Sequence, residues 1–156
     1  MYKCLILLFL LAQTCLADTY IKYGIGISKD QQLGEVKVIA GGYQTPIYES
    51  IISQIELGYW SDPHLGRKSS IFGNVSFGLD IQAGILYTQA LWGIALISQT
   101  DSILGGNFQF NHDIFLGLRD KNGYSIGIGY KHISSAGIYM PNLGRDMLMI
   151  KMAVPY

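Results

Sequence analysis

The sequence predicts an all-β protein, an eight-stranded antiparallel transmembrane β-barrel that is exported behind a signal peptide. Three observations lead to this prediction. Apolar residues alternate with small or polar residues in one segment after another, no helical period of useful length occurs after residue 18, and an apolar leader opens the chain. The composition agrees: of 156 residues, 49% are hydrophobic, 14% are charged and 19 are glycine, too apolar for disorder and too glycine-rich for a helical bundle.

The first 17 residues have the build of a secretory signal peptide. A lysine precedes an apolar run over residues 5–12, and small residues follow, so we expect cleavage after Ala17. The run is shorter than the roughly 20 residues that a membrane-spanning helix needs. Cys4 and Cys15 leave with this leader, so the mature barrel, residues 18–156, has no thiol, disulfide or cysteine metal site.

Eight segments of the mature chain carry the two-residue period of strands with two different faces. In the last segment, Leu148 and Met152 share one face, whereas Met149 and Lys151 share the other. Most segments have about the 9–11 residues that a tilted membrane strand requires, and turn residues such as the Asn-Gly pair at 122–123 connect them. The segments lie near residues 19–28, 34–43, 50–60, 70–81, 85–98, 105–118, 123–134 and 146–156.

The period alone does not say which face meets lipid, because a soluble barrel would place its apolar face inside, around a ligand. The membrane is favoured by tyrosine and tryptophan near the segment ends, as interfacial girdles require. The terminal Tyr156 also resembles the carboxyl-terminal signature that the outer-membrane assembly machinery recognises. We therefore expect a protein of the cell outer membrane with a narrow, filled lumen. Its opposite charges would pair there, and they are Lys22, Lys37, Glu56, Asp80, Lys131 and Lys151.

Charge and histidine content limit the other classes of partner. The formal net charge is zero, which gives no indication of a nucleic-acid partner. The three histidines lack carboxylate partners at ligand spacing, so no metal or other cofactor is predicted. His64 is expected on a surface loop. His112 shares the parity of the lipid-facing residues in the sixth segment. The sequence offers no physical reason for a histidine on that face, unless a bulge resets the register.

The stretch from Gly129 to Met147 collects polar residues beside the last apolar segment. His132 and Ser134 share the parity of the lipid-facing residues of the seventh segment, and Asp146 shares it in the eighth. Because these strands are antiparallel neighbours, we expect the three side chains to cluster at the extracellular rim, facing the outer leaflet. A serine beside a histidine base, with a carboxylate that orients the imidazole, meets the requirement for an activated ester-cleaving nucleophile.

The same stretch resembles a known family. "HISSAG" followed by "PNLGRD" is similar to the His-x-Ser-Asn-Ala and Pro-Asn-x-Gly segments of the PagL family of lipid A 3-O-deacylases, and "FQFN" at residues 108–111 is similar to that family's sixth strand. The resemblance implies an outer-membrane barrel whose Ser-His-Glu triad, on the outer face, hydrolyses the 3-position hydroxyacyl ester of lipid A. Residue by residue, it implies Ser134 as nucleophile, His132 as base, Asp146 as carboxylate and Asn142 as an oxyanion-binding residue.

Two departures from the family pattern bear on activity. Asp146 stands where the carboxylate is usually Glu, and Ser135 follows the nucleophile where Asn is usual. Either departure is compatible with altered geometry, a shifted substrate or an inactive relative. The alternative function is that of a small non-enzymatic barrel of the OmpX kind, serving surface structure or adhesion.

The expected partner is lipid A, or lipopolysaccharide, of the outer leaflet. Arg67, Lys68 and Arg145 are candidates for contact with its phosphates, although surface cations are more often merely solvated. The sequence leaves open which acyl chain is preferred and whether the protein forms a homodimer.

Overall fold

The computed structural model describes residues 17–27, 36–63 and 67–155. They form a closed antiparallel barrel in which each strand pairs with the next and the first pairs with the last, so the predicted fold class is confirmed. Among the described residues, no helix is long and apolar enough to span a membrane. Residues 1–16 of the expected leader, His64 and Tyr156 lie outside the described residues. The strands are β1 (Asp18–Gly26), β2 (Lys37–Tyr48), β3 (Ile51–Ser61), β4 (Ser70–Ala83), β5 (Leu86–Ile97), β6 (Phe108–Arg119), β7 (Ser125–Ser134) and β8 (Arg145–Val154).

The connections between strands differ in length at the two ends of the barrel. The predicted turn at residues 122–123 lies at the end with short connections, and Gly123 has φ of +93°, a conformation that favours glycine. Short periplasmic turns and longer extracellular loops are typical of outer-membrane barrels. The end with the longer connections is here called the extracellular end. Those longer connections are residues 27–36, 62–69, 98–107 and 135–144.

The outer wall of the barrel is apolar, as the two-residue period predicts. Along β8, Leu148, Ile150 and Met152 are about half exposed, whereas Met147 and Met149 are buried in the lumen. Closure of the sheet matters because lipid offers no partners for backbone N–H and C=O groups, and a closed ladder leaves no unpaired edge.

One charged residue lies on the opposite face from the one expected. Lys37 is exposed on the outer wall, so its expected place in the lumen was wrong. It shares the outward face with Ile39, and the register pairs it with Ile25 at the extracellular end of β1. A long ammonium side chain at that height extends toward the headgroup layer rather than into hydrocarbon.

The centre of the lumen holds four fully buried charges in alternation. Lys22 Nζ lies 2.6 Å from Glu56 Oε2 and 2.5 Å from Asp113 Oδ2. Lys131 Nζ lies 2.9 Å from Glu56 Oε1 and 3.0 Å from Asp113 Oδ1. Each charge thus contacts two of the opposite sign, which offsets the cost of removing all four from water.

The remaining lumenal charges also have partners. Asp80 accepts two hydrogen bonds from the Arg119 guanidinium, at 3.0 and 2.8 Å. Lys151 Nζ contacts the amide oxygens of Gln44 and Gln89, at 2.5 and 2.7 Å. The lumenal placement predicted for Lys22, Glu56, Asp80, Lys131 and Lys151 is therefore confirmed, with amide groups rather than carboxylates around Lys151.

Candidate active site

The candidate site lies on the outer wall, where β6, β7 and β8 reach the extracellular end. The register places His112 beside His132, and His132 beside Asp146. His112 is exposed, and the side chains of His132 and Asp146 are 29% and 32% exposed. All three therefore form one lateral row on the face that the apolar wall presents to lipid.

His132 and Asp146 are in direct contact. His132 Nδ1 lies 2.6 Å from Asp146 Oδ1. An ionised carboxylate only accepts hydrogen bonds, so this contact assigns the imidazole proton to Nδ1. The lone pair of a neutral His132 then lies on Nε2, which is the arrangement that a general base needs.

Ser134 lies on the same face, beyond the histidine. It is the last residue of β7, one outward position beyond His132, and the register places it beside Phe110. Among the described residues, no hydrogen bond joins Ser134 Oγ to the imidazole. Alternate residues on a strand are about 6.6 Å apart along it, and catalytic hydrogen bonds often close only when substrate binds.

The loop from residue 135 to residue 144 is organised around Ser135 and Asn142. Asn142 Oδ1 accepts a hydrogen bond from Ser135 N–H at 2.8 Å, and Ser135 Oγ donates to Tyr139 O at 3.2 Å. Ser135 is fully buried and faces away from Ser134's side of the strand. The Asn142 amide oxygen is thus occupied by the loop backbone. Its N–H₂ group forms no hydrogen bond among the described residues.

A second loop supports the first from beside it. The backbone of Leu104 forms a bridge with Asn142, and Gly105 N–H donates to Pro141 O at 2.8 Å. Leu104 is buried, so the β5–β6 loop fixes Asn142 from the side of the barrel mouth. The position of Asn142 thus depends on residues about 40 positions earlier in the chain, as the register of that bridge shows.

Arg145 faces the lumen, so its expected contact with lipid A phosphates was wrong. Its guanidinium lies 2.7 Å from Asp62 Oδ2 and 2.5 Å from Asp101 Oδ2, and it lies over the Trp60 ring with its carbon 5.1 Å from the centroid. The residue is 1% exposed. Because side chains alternate along a strand, burying Arg145 directs its neighbour Asp146 outward. The exposed Lys68 remains a candidate for phosphate contact.

Asp101 connects the β3–β4 and β5–β6 loops with the start of β8 at the mouth of the barrel. Burial raises the pKa of its carboxyl group, but the backbone N–H groups of Lys68, Leu104 and Ile103 and the charge of Arg145 lower it by more, so the pKa lies below its usual value. The N–H to O distances are 3.0, 3.0 and 2.8 Å for these three residues. Asp101 is therefore held ionised beside the residue that precedes Asp146.

Gly144 packs directly against the imidazole of His132. Its φ is +72°, a conformation that residues with a Cβ rarely adopt. A Cβ placed on Gly144 would lie 2.7 Å from His132 Cε1. The glycine of the "PNLG" segment therefore lets the loop pass close enough to fix one side of the imidazole ring.

Sequence reasoning did not connect two outward residues, Tyr130 and His112, with the site. The Tyr130 hydroxyl donates a hydrogen bond to Asp146 Oδ1. The His112 ring lies 6.2 Å from the His132 ring, centroid to centroid, and the register runs past it without a bulge. Parity indicates that both residues face outward, but only the strand register shows that they adjoin His132 and Asp146.

An apolar depression of about 300 Å³ lies on the outer wall below Asp146, on the periplasmic side. It crosses the seam where β1 meets β8, and its opening is almost entirely apolar. The next two outward residues of β8 after Asp146 form one side of it. Its lining residues are Tyr23, Gly24, Ile25, Ile128, Leu148, Met149 and Ile150.

The sequence profile of the lipid A 3-O-deacylase (PagL) family matches residues 20–155. The chain belongs to the PagL family. The resemblance noted in residues 129–147 thus extends over the whole barrel, and the chain is an ester hydrolase of the outer membrane. No protein with curated annotation matches the chain significantly.

Solved structures agree with PagL membership at the level of the fold. The crystal structure of the outer membrane enzyme PagL is 19% identical, covers 88% of this chain and 99% of that chain, and gives a TM-score of 0.70. A designed transmembrane β-barrel is 11% identical, and the match covers 89% of this chain and 95% of that chain with a TM-score of 0.59. The Yersinia pestis outer membrane protein Ail is 12% identical, and the match covers 88% of this chain and 99% of that chain with a TM-score of 0.51. At these identities the likenesses concern the barrel alone.

Proposed function

We propose that the protein removes the 3-position 3-hydroxyacyl chain of lipid A by a Ser-His-Asp triad at the extracellular, lipid-facing rim. Ser134 is the nucleophile, His132 the general base and Asp146 the residue that orients the imidazole. The observation that carries the proposal is the contact of 2.6 Å between His132 Nδ1 and Asp146 Oδ1, on the outward face beside Ser134.

The reaction follows from the protonation state of the imidazole. His132 Nε2 takes the hydroxyl proton of Ser134 while Oγ attacks the ester carbonyl carbon. His132 then returns that proton to the sugar oxygen as the bond between this oxygen and the acyl carbon breaks. Water, deprotonated in the same way, hydrolyses the acyl-enzyme and releases a 3-hydroxy fatty acid. The Asn142 amide N–H₂ is assigned to the oxyanion that forms in both steps.

The position of the site accounts for a lipid substrate. His132 and Asp146 open onto the outer wall, so an ester reaches them sideways from the outer leaflet rather than from water. The apolar depression below Asp146 lies where an acyl chain extends into the membrane. At the loop end, the exposed Lys68 is assigned to the phosphorylated sugar.

Mass spectrometry of lipid A tests the reaction. The purified, detergent-folded protein should remove one 3-hydroxyacyl chain, and Ser134→Ala should leave lipid A intact. Ser102→Ala, which changes an exposed serine of the β5–β6 loop, serves as the matched control and should keep the parent rate. An intact lipid A after incubation with the parent protein in every detergent would favour the structural barrel instead.

Two substitutions of Asp146 test the orienting role separately. Asp146→Asn should lower the rate by about 10⁴-fold, because an amide supports the wrong imidazole tautomer. Asp146→Glu lengthens the side chain by about 1.5 Å and should keep most of the activity. The measurement is the initial rate of deacylation, after each variant has shown the heat-dependent gel shift of a folded barrel. Parent activity in Asp146→Asn would remove Asp146 from the triad.

A further inference from the structure

One oxygen atom of Asp146 has two hydrogen-bond partners. His132 Nδ1 lies 2.6 Å from Asp146 Oδ1, and the Tyr130 hydroxyl donates to the same atom. Tyr130 comes one outward position before His132 on β7, and the two rings are nearly parallel, at 12° with centroids 6.5 Å apart. The register pairs Asp146 with His132 and Leu148 with Tyr130, so the carboxylate reaches Tyr130 diagonally across the strands.

The short aspartate side chain makes this second contact important. Asp146 carries its carboxylate on a single methylene group, so rotation about the Cα–Cβ bond moves both oxygens away from His132 together. The side chain is about one-third exposed on the outer wall, so packing does not enclose it. A phenol is suited to stop this rotation, because its O–H donates to a carboxylate and its ring has few rotatable bonds.

We infer that Tyr130 is a positioning residue of the active site, whose phenol O–H holds the Asp146 carboxylate against His132 Nδ1. The inference rests on the proposed function, in which His132 Nε2 must be directed toward Ser134 during the reaction. Tyr130 does not touch the reacting atoms and acts through Asp146. Its loss should therefore lower kcat, which depends on the imidazole, and leave KM, which reflects lipid binding, nearly unchanged.

The first test compares two tyrosine-to-phenylalanine substitutions on the outer wall. Tyr130→Phe removes the hydroxyl that contacts Asp146, and we expect kcat to fall at least about tenfold, equivalent to about 1.4 kcal/mol, with KM within about twofold. Tyr59→Phe removes a hydroxyl from another exposed tyrosine, on β3, for which no hydrogen bond is found among the described residues. This control should keep the parent values.

The second test repeats Tyr130→Phe in the Asp146→Glu background. A glutamate has one more rotatable bond, so it reaches His132 Nδ1 in several conformations and no longer needs the phenol. We expect Tyr130→Phe to change kcat by less than about threefold in this background, so that the two substitutions are coupled. A structural effect of the phenol on the barrel would not be rescued in this way.

Three results would overturn the inference. They are a parent-like kcat in Tyr130→Phe, the same loss of kcat in both Asp146 backgrounds, and a change confined to KM. Folding is checked by the heat-dependent gel shift, and Tyr130→Leu, which also lacks the hydroxyl, replaces Tyr130→Phe if the latter does not fold. Parent protein and Ser134→Ala are measured in parallel, because equal or absent activity in that pair would refute the proposed function itself.

Discussion

The contact between Gly144 and the imidazole gives a prediction whose size follows from the structure. In Gly144→Ala, the new Cβ would lie 2.7 Å from His132 Cε1. Non-bonded carbon atoms are comfortable at about 3.5–4.0 Å, so the ring must move by about 1 Å. A displacement of that size at a catalytic group costs about 100-fold in rate. We therefore expect kcat to fall by about two orders of magnitude.

A second glycine of the same loop separates this displacement from backbone strain. Gly137 also has a positive φ, of +84°, but a Cβ on it would meet nothing within 4 Å. Alanine at either position bears the left-handed backbone cost of about 1–2 kcal/mol. Only Gly144→Ala adds the collision with His132, so Gly137→Ala should keep most of the parent kcat.

The assay is the initial rate of 3-hydroxyacyl release from lipid A, followed by mass spectrometry. Both variants should first show the heat-dependent gel shift, since the strain lies in a loop and not in the barrel. A rate for Gly144→Ala within about threefold of that for Gly137→Ala would refute this reasoning. It would mean that the reaction tolerates displacement of the His132 ring, and that the rate at this site does not depend steeply on the position of the catalytic group.

Two further predictions concern charged groups in the lumen and at the mouth of the barrel. Lys131→Met leaves Glu56 and Asp113 with one cation between them and should destabilise the barrel by about 3–5 kcal/mol. The measurement is urea unfolding in detergent, with the outward Lys37→Met as the control. Equal stability of the two variants would contradict the stabilising role of the buried charges. Because the pKa of Asp101 is lower in the folded protein than in the unfolded chain, its contacts stabilise the mouth loops above about pH 4, and this stability is lost as the pH falls through the folded value. Asp101→Asn should therefore destabilise the loops at neutral pH and make their stability less dependent on acid. The measurement is protease resistance between pH 7 and pH 3. A pH profile identical to that of the parent would rule out Asp101 as the responsible group.

The fold was predictable because the two-residue period is a local property of the sequence. In β8, the alternation of Leu148 with Met149 marks an outward and an inward face without any knowledge of neighbouring strands. The same parity placed His132, Ser134 and Asp146 together on the outer face. Strand ends were less accurate, since the first segment was expected to reach residue 28 and β1 ends at Gly26.

The errors arose where charge was given more weight than parity. Lys37 shares parity with Ile39 and is outward, and Arg145 precedes the outward Asp146 and is therefore inward. What parity could not provide is the lateral register between strands. The contact of Tyr130 with Asp146 and the adjacency of His112 to His132 both depend on that register, which is fixed by hydrogen bonding between distant segments.

The most direct test of the triad is covalent labelling with a serine-reactive fluorophosphonate, followed by peptide mass spectrometry. The phosphonate forms a bond to an activated serine Oγ as fluoride leaves, so it reports the nucleophile without requiring lipid A. We predict a single adduct on Ser134 in the folded parent protein, and none in His132→Ala. An adduct on Ser135 instead, or labelling of Ser134 at the parent rate in His132→Ala, would contradict the assignment of Ser134 as a nucleophile activated by His132.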